Sequence, residues 1–271
     1  MNEPQPSNPA EVYERYFVPG MFLPWARILM QHAAPRSGDR VLDIACGTGV
    51  VAREAAPLVG PLGQVVAVDM SAAMLAVARS LPAPTGAPIS WQQGSALTLL
   101  SSDGAFDLVL CQHGLPFFPD RLAATREMRR VLRAGGRALA IVLQDIERHA
   151  VFEALMRSVA RHLSVPLAAV AVPFASSDAA ELRTSFTMAG FEPVEIVDVS
   201  ITAKFPDPDQ FVARAVTSSA AAVPAFAALE ARAKAEVLRA VRVETDPVLR
   251  EYCASGLVSF PMFAQIAIAT A

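Results

Sequence analysis

Two acidic residues stand in fixed relation to a glycine turn. Asp43 lies inside the apolar run "VLDIACGTG", four residues before Gly47, and Asp69 ends the run "QVVAVD". Glycines at 47 and 49 let the backbone approach a ligand closely and take unusual dihedrals. The helix that follows presents free N–H groups. An acidic side chain about 20 residues beyond such a turn, at the end of the second strand, accepts hydrogen bonds from ribose hydroxyls. The chemistry implied is the binding of a nucleoside derivative. A dinucleotide would use the same geometry, but Ala52 replaces the third glycine of a dinucleotide turn. A carboxylate at 43 also faces a pyrophosphate badly and suits a cofactor carrying an ammonium group. Both features argue against a nicotinamide-dependent oxidoreductase.

The elements around these residues define the fold class. Residues 41–45 read as a continuous apolar strand, of the kind buried on both faces. Residues 47–59 continue as turn and helix, and "QVVAVD" is a second buried strand. "SAAMLAVARSL" is a helix with Ser71 as its N-cap. "ISWQQG" and "FDLVLC" are strands, "DRLAATREMRRVLRAGG" is an amphipathic helix closed by glycines, and "RALAIVLQ" is the next strand. Strands alternating with helices over 41–144 predict a doubly wound α/β fold with a parallel sheet and right-handed crossovers. Before this core, residues 1–10 read as a disordered lead. Residues 11–33 read as helix broken near Pro19-Gly20, with Tyr13, Tyr16, Phe17, Phe22 and Trp25 clustered in it. After it, "DAAELRTSFTMAGF" reads as a helix, "PVEIVDVSITAKF" as a strand and "LVSFPMFAQIAIATA" as a closing strand. The helical segments 146–176 and 206–256 have no place in the sheet and are expected to form a cap over its carboxyl edge.

At this point the resemblance is plain. "VLDIACGTG", "VVAVDMSAAMLAVAR", "FDLVLCQHGLPFFPD" and "MRRVLRAGGRALAI" occur in the order and spacing that resemble the class I S-adenosylmethionine (SAM) dependent methyltransferases, most closely the small-molecule branch with the ubiquinone/menaquinone-type enzymes. The resemblance implies a Rossmann-like, seven-stranded, mostly parallel sheet with a helical cap. It divides the chain into an N-terminal segment (1–35) folding over the cofactor, a SAM-binding core (36–145), the cap, and the remaining core pieces (177–205 and 257–271). It further implies that Asp43 and the Ala45-Cys46-Gly47 backbone hold the methionine part of SAM, that Asp69 binds the ribose, and that Met70 packs on the adenine. Gly94, Ser95 and Ala96 match the loop that contacts the adenine amino group, although the family usually has an acidic residue at the position of Ser95. Cys111 and Gln112 end the fourth strand beside the sulfonium, and Tyr13 and Phe17 resemble residues that fold over bound SAM. S-adenosylhomocysteine (SAH) would be the product.

Methyl transfer is an in-line displacement in which the protein supplies alignment and exclusion of water. His113 directly follows the fourth strand and is the candidate base or hydrogen-bonding partner for an acceptor hydroxyl or amine. Relatives that use a histidine base carry it three or four positions later, where this chain has Pro116 and Phe117. His32, His149 and His162 read as surface or cap residues. The expected acceptor is a small, rather apolar molecule. The chain has a formal net charge of −3 and no Lys/Arg block, which leaves no nucleic-acid footprint. "CQHG" after the fourth strand also lacks the "[ND]PP[YF]" motif of nucleic-acid and protein methylating enzymes. Three scattered cysteines give neither a disulfide framework nor a metal site. The polar, Pro-rich start is unlike a signal peptide, and residues 211–229 are interrupted by Arg214, Ser218, Ser219 and Pro224, unlike a membrane span. A cytoplasmic monomer or homodimer is the expectation. Two functional readings stand: methyl transfer, or a SAM-fold protein repurposed for other chemistry or for binding alone.

Overall fold

The computed structural model describes residues 8–220 and 223–271, apart from the side chains of residues 209, 219 and 220. Most of the expected lead thus falls outside the described residues, but Pro9 and Ala10 are already helical. α1 (Pro9–Val12) is capped by the Asn8 side chain, which accepts the Glu11 N–H at 3.0 Å. The chain then widens into a π-helical stretch, Tyr13–Phe22, and narrows into α2 (Leu23–Ala33). The break expected at Pro19 does not occur. Proline lacks an N–H and crowds the carbonyl one turn back in an α-helix, and the wider π turn accommodates it.

The sheet has the spatial order β3 (Ile89–Gln93), β2 (Gln64–Asp69), β1 (Arg40–Ile44), β4 (Phe106–Gln112), β5 (Leu132–Leu143), all parallel. It continues through an antiparallel last strand to β6 (Val194–Pro206), with the short β7 (Cys253–Ala254) pairing beside it; the last strand is β8 (Leu257–Thr270). In chain order the remaining helices are α3 (Val50–Val59), α4 (Ala72–Ser80), α5 (Arg121–Val131), α6 (Ala150–Leu163), α7 (Leu167–Val170), α8 (Ala179–Met188), α9 (Pro208–Ala220), α10 (Pro224–Ala227) and α11 (Ala231–Glu251). Buried side chains of α2, α3 and α4 cover one face of the sheet, and those of α5 and α8 cover the other. Ser71 caps α4, its hydroxyl accepting the Met74 N–H at 3.3 Å. α5 ends at Val131, before the glycines expected to close it, because Leu132 pairs with Phe106 and begins β5 through an irregular stretch.

The packing of α6, α9 and α11 follows from one geometric fact. β5 pairs with β8 only as far as Leu143 opposite Ala264, whereas β6 and β8 stay paired on to Pro206 opposite Leu257. The β6–β8 ribbon therefore projects past the carboxyl end of β5. Its Phe205 and Phe260 meet Phe211 of α9 at 5.0 and 5.7 Å between ring centroids, and Phe260 meets Phe152 of α6 at 5.7 Å. α6 is tied to α11 through Glu244, which accepts from Ser158 at 2.5 Å and from Arg161 at 2.7 Å. Of the surface and cap placements open to His149, the structure gives a buried one at the start of α6. Its imidazole accepts the Phe263 N–H at 3.0 Å through Nε2 while Nδ1 faces the Asp145 carbonyl at 2.9 Å.

Candidate active site

The carboxyl ends of β1, β2 and β4 converge on the glycine turn. Asp43 is only 1% exposed. One of its oxygens, Oδ2, accepts the Ala52 N–H at 3.0 Å and so caps the first turn of α3; Oδ1 has no partner among the described residues. Burial raises the Asp43 pKa to about 8, the Ala52 N–H opposes this, and the neighbouring Asp69 charge adds to it. The turn itself is left-handed at Ala45, Gly47 and Gly49, with φ of 56°, 55° and 85°. Gly49 admits no side chain, because a Cβ there would run into the Trp91 ring. Asp69 fixes the turn from below: Oδ2 accepts the Gly47 N–H and Oδ1 the Ser71 N–H, both at 2.8 Å. A carboxylate offers about four lone-pair sites, so Asp69 keeps acceptor capacity beyond these two bonds. Thr48 is fully buried and its hydroxyl has no partner. Cys46 donates its N–H to Val68 at 3.1 Å, and burial pushes its thiol well above the usual range.

The N-terminal segment lies directly over this turn. Tyr13 stacks on Phe22 with centroids 4.7 Å apart, and its ring edge and hydroxyl reach within 3.8 Å of where a Gly47 side chain would begin. Burial and the charges of Glu14, Asp69 and Asp43 push its phenol far up. Phe17 does not join Tyr13. It is buried edge-on against Tyr16 (5.2 Å) and Phe205 (5.8 Å), because its position on the π turn faces the β6–β8 ribbon. Glu14 pairs with Arg53 of α3 at 2.8 Å, and Arg53 also donates to the Thr48 carbonyl. Neither the Phe22 cover nor this ion pair was singled out in the sequence; the aromatic clustering was the available signal for Phe22, and nothing local marks Arg53.

On the adenine side of the expected layout, Met70 is 72% exposed beside the Asp69 strand end. Gly94 donates its N–H to the Asp69 carbonyl at 3.0 Å. The Ser95 hydroxyl is engaged within its own turn, accepting the Leu97 N–H at 3.1 Å, and Ala96 is buried. At the end of β4, Cys111 is fully buried, and Gln112 donates to the Phe22 carbonyl at 3.0 Å while its Oε1 has no partner. His113 is left-handed at φ 56° and donates its backbone N–H to Ile141 at 2.9 Å. Its ring lies 5.8 Å from Trp25 and 6.0 Å from Phe22. Both ring nitrogens are buried without partners among the described residues, as is the Trp25 indole N–H. Burial, reinforced by His149, depresses the His113 pKa to about 3. Left-handed backbone at non-glycine residues concentrates at functional sites, and here it marks both ends of the cluster, Ala45 and His113. Among the described residues, no group of three His, Cys, Asp or Glu side chains is placed to hold a metal ion.

Residues 41–136 match the family described as methyltransferase domain. Over 121 residues the chain is 40% identical to the 2-phytyl-1,4-naphtoquinone methyltransferase of Synechococcus elongatus, covering 44% of this chain and 52% of that protein. It is 42% identical over 119 residues to the ubiquinone/menaquinone biosynthesis C-methyltransferase UbiE of Hahella chejuensis, covering 43% and 48%. Residues 41–136 of this chain are thus similar to a methyltransferase domain. The methyltransferase match spans about half the length of these curated relatives. In fold the likeness extends further. The YcgJ protein from Bacillus subtilis superposes with a TM-score of 0.58 at 21% identity over 90% of this chain and 97% of that one. The [4+2]-cyclase SpnF does so with 0.55 at 20% identity over 92% and 80%. The matched residues thus carry the glycine turn, Asp43, Asp69 and the β4 end, while segments 146–176 and 206–256 and the N-terminal segment lie outside them. No helix among the described residues is long and apolar enough to cross a membrane.

Proposed function

We propose that this chain is a SAM-dependent methyltransferase that transfers a methyl group to a hydroxyl or carbon of a small, largely apolar, quinone-like acceptor. The observation that carries the reading is a run of buried polar atoms without partners among the described residues: Asp43 Oδ1, Thr48 Oγ1, Gln112 Oε1 and both nitrogens of His113. Buried polar atoms are almost always paired, so several of them around one glycine turn fit a polar ligand seated there. The donor set fits SAM. Asp43 Oδ1 offers a carboxylate to an ammonium, the 45–47 backbone lies beside it, and Asp69 has spare acceptor capacity for ribose hydroxyls. Met70 offers an exposed apolar side chain to the adenine. Ser95 is occupied locally and contributes less than an acidic residue would.

When bound, SAM supplies an electrophilic methyl on a sulfonium. The chain supplies the rest. Tyr13 and Phe22 close over the turn and exclude water. Gln112, anchored on the Phe22 carbonyl, couples that cover to the end of β4. His113 presents a neutral imidazole, with Trp25 and Phe22 as aromatic walls, to the acceptor. A base works best with a pKa near the operating pH, and among the described residues no carboxylate partners this ring, so His113 holds the acceptor hydroxyl in line and the proton released on methylation passes to bulk water rather than staying on the ring. The acceptor's chemistry follows from that wall: planar and apolar, with a hydrogen-bond donor at the reacting end. The relatives named as quinone methyltransferases support the same class.

The test is conversion of SAM to SAH, followed by mass spectrometry against a panel of phenols and hydroxyquinones. The expected result is SAH formation that depends on an apolar acceptor, with a gain of one methyl in that acceptor. Acceptors rearranged at unchanged mass, with SAM unspent, would replace methyl transfer by the repurposed-fold reading, to which Rossmann-like scaffolds lend themselves.

A further inference from the structure

A cavity lies between α3 and α4, beneath the loop joining α4 to β3. It encloses about 300 Å³ and is lined by Arg53, Arg79, Pro82, Pro84, Pro88 and Trp91 among others. That volume is at the lower end of small-ligand sites. Its chemistry is one-sided: two guanidinium groups, an indole and three proline rings, with no carboxylate among the lining residues. Arg79 spends one donor on the Trp91 carbonyl at 3.0 Å, which fixes the guanidinium beside the indole. An arginine fork matches a carboxylate in two parallel hydrogen bonds, and flat rings stack on indole and proline faces.

We infer that this cleft binds a small aromatic carboxylate, held by Arg79 and Arg53 and stacked on Trp91. The site is independent of the methyl-transfer reading, but it borders the same turn. Trp91 is the ring packed against Gly49, and Arg53 is the residue that pairs with Glu14 and grips the Thr48 carbonyl. An anion in the cleft competes with Glu14 for Arg53. Occupancy and closure of the N-terminal segment therefore oppose each other.

The chain has two tryptophans, so the experiment reads two indole N–H signals by NMR while 2-naphthoate is titrated into the ligand-free protein. The Trp91 signal should shift saturably. Arg79→Ala, at an exposed position, should weaken binding roughly tenfold, the loss of one charge-assisted hydrogen bond. The neutral analogue 2-naphthalenemethanol should bind correspondingly weaker. Glu14→Gln, which releases Arg53, should bind 2-naphthoate more tightly. A Trp91 signal that stays still while Trp25 moves would place the probe in the acceptor pocket and overturn the inference. Equal affinity in Arg79→Ala, or for the neutral analogue, would overturn it as well. Unchanged affinity in Glu14→Gln would remove the competition with the N-terminal segment.

Discussion

Asp43 and His113 are buried ionisable groups pushed in opposite senses, and the signs separate them by pH. The Asp43 pKa is raised from 3.8 to about 8, so the folded protein holds a proton that the unfolded chain releases between those values. Stability therefore falls as pH rises through that window. The His113 pKa is lowered from 6.5 to about 3, so there the unfolded chain holds the extra proton and stability falls as pH drops below 6.5. The two slopes oppose each other at acid pH, and between pH 6.5 and 8 Asp43 acts alone. In urea unfolding of the ligand-free protein across that interval, Asp43 should contribute a loss of about 1.4 kcal/mol per pH unit. Asp43→Asn, which can still accept the Ala52 N–H, should remove that slope and should bind SAM at least about tenfold more weakly. For His113, a positioning role predicts that His113→Ala raises the acceptor KM about tenfold with a smaller change in kcat. His113→Asn, tolerant of the left-handed backbone, should recover much of it, and the kcat profile should show no ionisation from this ring near neutrality. A kcat loss of about a hundredfold or more with KM unchanged would instead make His113 the base.

The N-terminal segment and the β6–β8 ribbon form one mechanical unit. Gly20 on the π turn lies so close to β6 that an added Cβ would sit 2.5 Å from the Lys204 carbonyl and 2.7 Å from the Phe205 ring. Tyr16, three residues past Tyr13, stacks on Phe205 at 5.3 Å and donates its hydroxyl to the Pro206 carbonyl at 3.0 Å. Gly20→Ala should therefore destabilise the fold by about 1–3 kcal/mol through overpacking, measurable by thermal unfolding. It should also weaken SAM binding by shifting the cover over Gly47. These contacts were not legible in the sequence, because a π turn has no apolar period of its own and the ribbon partner is nearly 190 residues away. The βα alternation of residues 41–144 was legible, since β1, β2 and β4 are largely apolar runs and the helices between strands are short, two of them capped by Ser71 and Asp120. Which aromatic faces the turn depends on the helix width, not on the spacing, so Phe17 packs on Phe205 while Phe22 meets Tyr13.

Across the whole molecule, the local motif and the distant contacts divide the labour. Asp43, Gly47 and Asp69 were readable because turn, carboxylate and strand end are fixed by a short stretch of chain. The Phe22 contact with Tyr13 and the Arg53 link were not, because each depends on elements brought together only by the finished sheet. The central claim is that this turn holds SAM with its ribose on Asp69, and calorimetric titration of SAM into the native protein and two Asp69 variants tests it most directly. Asp69 also anchors the Gly47 and Ser71 amides, so Asp69→Asn, which retains one acceptor, accompanies Asp69→Ala and both are checked for native unfolding transitions. The account predicts saturable one-to-one binding to the native protein, a loss of at least about tenfold in Asp69→Ala and an intermediate loss in Asp69→Asn. Absence of SAM binding to the native protein, or equal affinity in folded Asp69→Ala, would contradict it.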